Sequence, residues 1–280
     1  GTKFVCAIGS GPNDIYAFSI IDTREPNLTI REVINFFQAK QNSICRVSKI
    51  GIGSFGPIDL DVQSKTYGHI KKTPKLGWQN IDIRGEFERA LKIPVVIDTD
   101  VNTAALGGLK WGSGKALRNF LYATIGTGIG VGAIINKRIF HTEHHPEMGH
   151  MFVPLSSHEQ ETFSGSCPFH VGCIEGLASG LAITERWGNK LCQLQKTHPA
   201  WQLEAEYLAA FFTNLTFAFQ PQKIIAGGGV MSDYLLSLVR EILYKEITWN
   251  SNMKTSDYLV MPTLGSLAGV LGAIVLARDF

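Results

Sequence analysis

Apolar and polar positions along the chain follow two different periods. Phe4 to Ile8 and Ile15 to Ile21 are short apolar runs on either side of the turn-rich Gly9-Ser-Gly-Pro-Asn-Asp14, a pattern that predicts an opening hairpin. From Thr29 to Lys40 the spacing becomes helical, with Ile30, Val33, Ile34 and Phe37 on one face. Val47 to Ile52 reads as a strand that runs into the turn Gly51-Ile-Gly-Ser-Phe-Gly-Pro57. Ile83 to Leu91 returns to helical spacing, and Ile93-Pro-Val-Val-Ile97 is an uninterrupted apolar strand of the kind buried in parallel sheets. These elements predict an α/β lobe.

A second unit follows. The pattern predicts a helix from Asn102 to Lys110, a strand from Asn119 to Ile125, the glycine turn Gly126-Thr-Gly-Ile-Gly130, and a strand from Val131 to Ile135 turned by Asn136-Lys-Arg. Between about His141 and Gly176 the chain is polar, rich in His and Cys, and weakly periodic apart from a short strand at Met151 to Pro154. Such a segment needs something other than its own core to hold it. Beyond it the spacing predicts helices from Leu177 to Lys190 and Leu203 to Phe219, a strand from Lys223 to Ala226, glycines 227 to 229, and a final helical region. The expected organisation is two α/β lobes, residues 1–101 and 102–280, with the loop at about 141–176 in the second.

Composition narrows the class. With 45% hydrophobic and 18% charged residues among 280, the chain is too apolar for disorder, and its 29 glycines lack collagen's period. Lys+Arg 26 against Asp+Glu 24 leaves +2 with no dense basic cluster, which argues against a nucleic-acid partner. The longest strongly apolar stretch, Leu267 to Ala277, falls well short of the ~20 residues that span a bilayer, so no membrane anchor is expected. Five cysteines, two of them in a Cys/His cluster, point to metal binding in a reducing compartment, and the cytoplasm is the expected location.

Three features carry candidate chemistry. Gly1-Thr2-Lys3, Gly126-Thr127-Gly128 and Gly227-Gly228-Gly229 are turns whose backbone N–H groups can approach phosphates, and together they suggest a nucleotide held between two lobes. Taken singly each could be an ordinary turn, and none matches a P-loop. Asp98-Thr99-Asp100-Val101-Asn102 emerges at the carboxyl end of a buried strand, where α/β folds place ligands. A carboxylate there can accept a hydroxyl proton during phosphoryl transfer; the alternative is an Asp that caps the following helix. Cys167-Pro-Phe-His170-Val-Gly-Cys173 has C-x2-H-x2-C spacing suited to tetrahedral Zn²⁺, with His150 the best fourth ligand and His141, His144 and His145 its rivals. A structural ion is preferred over a hydrolytic one, because four Cys/His ligands close the site to water. Trp111, Trp187 and Trp201 read as packing residues, and Cys6, Cys45 and Cys192 as small buried hydrophobes.

Taken in order, Gly1-Thr2-Lys3, Gly53-Ser-Phe-Gly-Pro57, Thr66-Tyr-Gly68, Thr73-Pro-Lys-Leu-Gly-Trp78, Asp98-Thr-Asp-Val-Asn102, Thr124 to Gly130, His145-Pro-Glu-Met-Gly-His150, Cys167 to Glu175 and Gly227-Gly-Gly-Val-Met231 resemble the motifs of ROK-family sugar kinases, nearest the bacterial zinc-containing fructokinases. The resemblance implies an actin-like, ribonuclease H-like ATPase fold of two α/β lobes around a cleft. The implied activity is ATP-dependent phosphorylation of fructose on its 6-hydroxyl, with Mg²⁺ and structural Zn²⁺ as metals and a homodimer as the assembly. It matches Asp100 to the catalytic base; Gly56, Pro57, Asn102, Glu147, His150 and Glu175 to the sugar side; His150, Cys167, His170 and Cys173 to the zinc; and the three glycine turns, at 1–3, 126–128 and 227–229, to the nucleotide. Thr99 stands where glucose-specific relatives carry Asn, which favours the fructokinase branch. The family also has a first strand and an acidic residue ahead of the position of Gly1, so a fragment of a longer enzyme is the expectation here. Kinases for mannose, glucose or N-acetylmannosamine, and non-catalytic sugar-sensing regulators, share these motifs.

Overall fold

The computed structural model describes residues 2–41, 47–73, 75–142, 144–156, 163–248 and 257–280. The chain forms two compact units, one of Gly1–Lys115, Ile139–Pro146 and Ser266–Phe280, the other of Ala116–Arg138 and Glu147–Gly265.

In the first unit, β1 (Lys3–Gly11) and β2 (Asp14–Asp22) form the expected antiparallel hairpin, and α1 (Pro26–Gln41) follows. β3 (Ile50–Ser54) and β4 (Val95–Thr99) pair in parallel, with α2 (Ile83–Leu91) between them in sequence. Asp82 caps α2 by accepting from Gly85 N at 2.8 Å, and Lys92 ends it in the left-handed region. Ile50, Val95 and Ile97 bury against Ile30, Val33, Ile83 and Phe87. Each fully buried apolar side chain of this kind contributes about 1.5–3 kcal/mol relative to exposure. The two pairs are separate two-stranded sheets. Residues Lys3 to Ser10 of β1 and Val47 to Phe55 around β3 line a common cavity of about 560 Å³.

The predicted boundary at 101/102 falls inside a helix. α3 (Asp100–Trp111) continues from β4 and packs along α8 (Ala268–Asp279), and both belong to the first unit. Small residues at their contact, Gly107 against Ala268 and Gly272 against Thr103, let the two backbones approach, so the chain's end returns to its first lobe.

The second unit is built on a sheet of order β7-β6-β5-β8-β9. β5 (Phe120–Ile125), β6 (Ile129–Ile135) and β7 (Arg138–Ile139) are antiparallel neighbours in sequence, while β8 (Lys223–Gly227) lies parallel to β5, and β9 (Leu259–Val260) parallel to β8. Asn136 and Lys137 both take positive φ at the β6–β7 turn, as a tight hairpin requires. α6 (Ala200–Phe219) buries Phe211, Phe212 and Leu215 completely and packs on α7 (Asp233–Glu246).

Two expectations change here. The helix read from Leu177 to Lys190 is two, α4 (Ile174–Ala178) and α5 (Gly180–Trp187), broken at Ser179, whose backbone is extended. Met151 to Pro154 is no strand: it makes one isolated bridge, Phe152 to Cys173, and the Phe152 carbonyl accepts from Asn214 Nδ2 of α6 at 3.3 Å in place of a second ladder partner. Among the described residues, no helix is long and apolar enough to cross a membrane.

Candidate active site

The parallel pair β3 and β4 delivers two motifs to one place. Gly53 is in register with Asp98 and Ser54 with Thr99, so the segment through Gly56 and Pro57 leaves at the same strand ends as Asp98 to Asn102. The Gly56–Pro57 peptide is cis, and the Pro57 carbonyl accepts from Lys71 N at 2.7 Å. Gly53 lies so near Thr103 that a Cβ there would come within 2.6 Å of its hydroxyl, fixing strand and helix together.

The cap of α3 is Thr99, whose Oγ1 accepts from Asn102 N at 3.2 Å; neither aspartate caps the helix. Asp100 therefore occupies the first helical position, where the helix dipole favours an anion. Its Oδ1 accepts from Val101 N at 2.8 Å, and its carboxylate reaches the cavity surface that Lys3 also lines. The protein crowding it raises its pKa above the ordinary carboxylate value, although the side chain itself stays open to the cavity. Asp98, by contrast, is 2% exposed, and its oxygens are taken up by Thr99 N, Asn102 Nδ2 and His141 Nε2 at 2.7, 2.8 and 2.8 Å.

Thr2 and Lys3 open β1, where the Thr2 carbonyl accepts from Thr23 N at 2.9 Å. Gly1 lies outside the described residues, as does Cys45.

In the second unit the two remaining glycine turns meet. β5 and β8 are parallel neighbours with Thr124 opposite Gly227, so Gly126–Gly128 and Gly227–Gly229 both follow carboxyl ends of adjacent strands. Val230 N donates to the Ile125 carbonyl at 3.0 Å and Gly180 N to the Gly126 carbonyl at 2.7 Å. Gly228 has φ +101, and a Cβ there would sit 2.2 Å from the Ile125 carbonyl oxygen. Thr127 stands in the middle of the first turn.

Two further carboxylates flank a cluster of metal-ligand type. Glu147 precedes a single 3₁₀ turn, Met148–His150, which Gly149 presses against the Ile129 carbonyl. Glu175 lies in the first turn of α4, and its Oε2 accepts from Ile129 N at 2.9 Å. Gly128 leaves room for that carboxylate, since a Cβ there would come within 2.5 Å of Oε2. Between them, one ligand atom from each of His150, Cys167, His170 and Cys173 lies within 4.8 Å of all the others. The Cys167 Sγ is 3.8 Å from Nδ1 of both His150 and His170, and the Cys173 Sγ is 3.7 Å from His150 Nδ1. A zinc tetrahedron with Zn–S near 2.3 Å and Zn–N near 2.0 Å has edges of roughly 3.6 Å, so donor type and spacing both fit that ion. Burial pushes the Cys173 thiol up to about 11, so a cation must displace its proton to bind.

His141, offered by the sequence as a rival ligand, lies with His144 and His145 in the first unit, and none of the three joins the cluster. Cys6 is buried as expected, with its thiol pushed up to about 12 by burial, whereas Cys192 is exposed, because the turn carrying it at Leu191–Gln193 buries Leu191 instead.

The profile of the ROK family matches residues 1–280. The chain belongs to the ROK family. A Bacillus subtilis relative is 43% identical over 285 residues, covering 100% of this chain and 93% of its own length. The fructokinase of Zymomonas mobilis is 40% identical over 284 residues, 99% of this chain and 93% of that protein. Among solved structures, a ROK glucokinase from Streptomyces griseus in complex with glucose and AMPPNP superposes with a TM-score of 0.77 at 21% identity, covering 100% of this chain and 97% of that one. That likeness gives this ROK chain the actin-like sugar-kinase fold predicted from its motifs.

Two features of the ROK site escaped sequence reasoning. Asp98 was grouped with Asp100 as a candidate carboxylate, yet it is the buried anchor of the strand end; the apolar run before it carried that signal, since a polar residue continuing a buried strand is itself buried. The other is the contact of Gly180 with Gly126, which no spacing in the sequence announces.

Proposed function

We propose that this ROK protein is a fructokinase that transfers the γ-phosphoryl group of ATP to the 6-hydroxyl of fructose. The observation that carries the reading is Asp100, a carboxylate at the cavity surface on the first turn of α3, in a chain 40% identical to a fructokinase over nearly its whole length. In the proposed step Asp100 accepts the hydroxyl proton as the sugar oxygen attacks the γ-phosphorus, the O6–P bond forms, the bond from phosphorus to the bridging oxygen breaks, and ADP leaves. The raised pKa of Asp100 makes it a stronger base than an ordinary aspartate, in the direction that favours proton acceptance from a hydroxyl.

Other roles follow from position. Thr2, Lys3, Gly126–Gly128 and Gly227–Gly229 are assigned to the nucleotide, with glycine N–H groups directed at phosphate oxygens. Mg²⁺, bound with the nucleotide, would neutralise charge on the phosphates. Gly56, Pro57, Asn102, Glu147, His150 and Glu175 are assigned to the sugar. Zinc on His150, Cys167, His170 and Cys173 would be structural, since four protein donors leave no open position. Its ligands adjoin Glu147 and Glu175 in sequence, so the ion would hold both carboxylates in place. With His150 Nδ1 facing the two sulfurs, its Nε2–H remains to donate to a sugar hydroxyl. A reducing cytoplasm suits the free thiols, and a homodimer, the commonest symmetric assembly, is the expected state, to be checked by sedimentation.

The test is ADP release from Mg-ATP with fructose, mannose, glucose and N-acetylmannosamine in parallel. Fructose should give the highest kcat/KM. A higher value for another hexose would overturn the substrate, and silence with all four would overturn the kinase.

A further inference from the structure

Asp98 has more work to do than a strand residue needs. Its Oδ1 accepts from Thr99 N and from Asn102 Nδ2, and its Oδ2 lies 2.8 Å from His141 Nε2, on a segment 43 residues away in the chain. A carboxylate oxygen can only accept, so Asn102 must turn its NH₂ towards Asp98 and its Oδ1 the opposite way. Asn102 is 1% exposed, and that Oδ1 is buried with no hydrogen-bond partner among the described residues. A buried acceptor left unmade is costly unless a ligand fills it. It sits two residues beyond Asp100 in the first turn of the same helix.

We propose that His141 is a positioning residue for sugar binding: its Nε2–H fixes Asp98, Asp98 fixes the amide of Asn102, and Asn102 Oδ1 is thereby held as an acceptor for a sugar hydroxyl beside Asp100. The inference rests on the fructokinase reading and adds to it a residue that touches neither substrate nor metal ligand. Among the described residues, two titratable groups face this cluster. His145 brings its Nδ1 to 3.4 Å from Asn102 Nδ2, and burial lowers its pKa, so it is neutral near pH 7. The Tyr67 phenol also feels the Asp98 charge. The hydrogen bond to Asp98 raises the pKa of His141, so the imidazolium persists to higher pH than in a free histidine.

Two variants and one titration test this. His141→Ala should lower kcat/KM for fructose about 10–100-fold, the size expected for losing one hydrogen bond to a buried charged group, with the KM for ATP unchanged. His141→Gln keeps an N–H donor at the same reach and should recover most of that loss. Independently of turnover, the His141 ring proton followed by NMR should titrate above the ordinary midpoint of ~6.5 and return towards it in Asp98→Asn. Normal kcat/KM in His141→Ala, no rescue by glutamine, or a midpoint unmoved by Asp98→Asn would each overturn the proposal. Failure of the wild type to phosphorylate fructose would instead refute the substrate reading, and the titration alone would then decide whether His141 holds Asp98.

Discussion

Replacing Asp100 by Asn separates chemistry from stability more cleanly than any other change in this molecule. The side chain makes one local hydrogen bond, to Val101 N, and no ion pair with a described side chain. Asparagine retains an oxygen for that bond. What is lost is a negative charge at a helix N-terminus, worth about 0.3–1 kcal/mol, and what is gained is relief from the crowding that raises the aspartate's pKa. The net effect on stability should lie within about 1 kcal/mol, a Tm change of no more than ~2–4 °C. The effect on catalysis should be far larger. A positioned base contributes about 10²–10⁴ in rate, or ~2.7–5.5 kcal/mol of barrier, and an amide cannot accept the proton. The assay is coupled ADP release at saturating Mg-ATP over a range of fructose concentrations, beside a thermal melt and fructose calorimetry. The expected result is kcat down at least a hundredfold with fructose affinity and Tm nearly unchanged. In the wild type the acid limb of kcat/KM should lie above the ordinary aspartate value near 3.9, activity falling as pH drops and Asp100 takes up its proton. A variant that keeps near-normal kcat, or a limb at the ordinary value, would refute the assignment.

Other consequences are as direct. Removing metal with a strong chelator should lower Tm by ~8–16 °C if the ion is present at about a thousand times its Kd, since that is ~4 kcal/mol, and Cys167→Ser should mimic it; a melt indifferent to both would show that the four-residue cluster holds no structural ion. Gly228→Ala forces a Cβ to 2.2 Å from the Ile125 carbonyl at φ +101, costing about 1–3 kcal/mol in backbone strain before the clash is relieved. The KM for ATP should rise with that for fructose little changed, and equal increases in both would count against a nucleotide role for the turn. Phe212→Ala, fully buried in α6, should cost about 3–5 kcal/mol in a denaturant titration while leaving kcat at 25 °C intact.

Much of the fold was legible because its elements carry their own signals. The run Ile93 to Ile97 covers the first three residues of β4, which continues to Thr99, and the stripe from Leu203 to Phe219 is almost the whole of α6, which begins three residues earlier behind Pro199. The division of the chain was not legible, for a reason of packing. α8 is apolar on most of its surface, a pattern that says only that it is buried, and what it is buried against is decided by small residues matched on α3. Ser179 shows the same limit more sharply. Helical spacing runs through it without interruption, yet its backbone is extended and its Oγ caps α5 by accepting from Ala182 N at 3.2 Å. The break lets Gly180 N donate to the carbonyl of Gly126, so a helix is interrupted to brace a glycine turn. A tertiary hydrogen bond overrode local periodicity, and local periodicity cannot announce it.

The site divides along similar lines. Cys167, His170 and Cys173 were readable because metal geometry imposes short spacings within one segment, whereas their fourth partner had four histidine candidates and imidazole chemistry suits all of them. What separates them is which buried acceptor each meets. His150 lies on the turn that Gly149 pins beside Ile129 and faces two thiols. His141 meets Asp98, a carboxylate whose burial demands a donor and whose other oxygen already orients Asn102. The residue type was the same and the demand was different. A buried Asp two positions before the proposed base therefore explains both why His141 is absent from the metal cluster and why its loss should register in sugar binding.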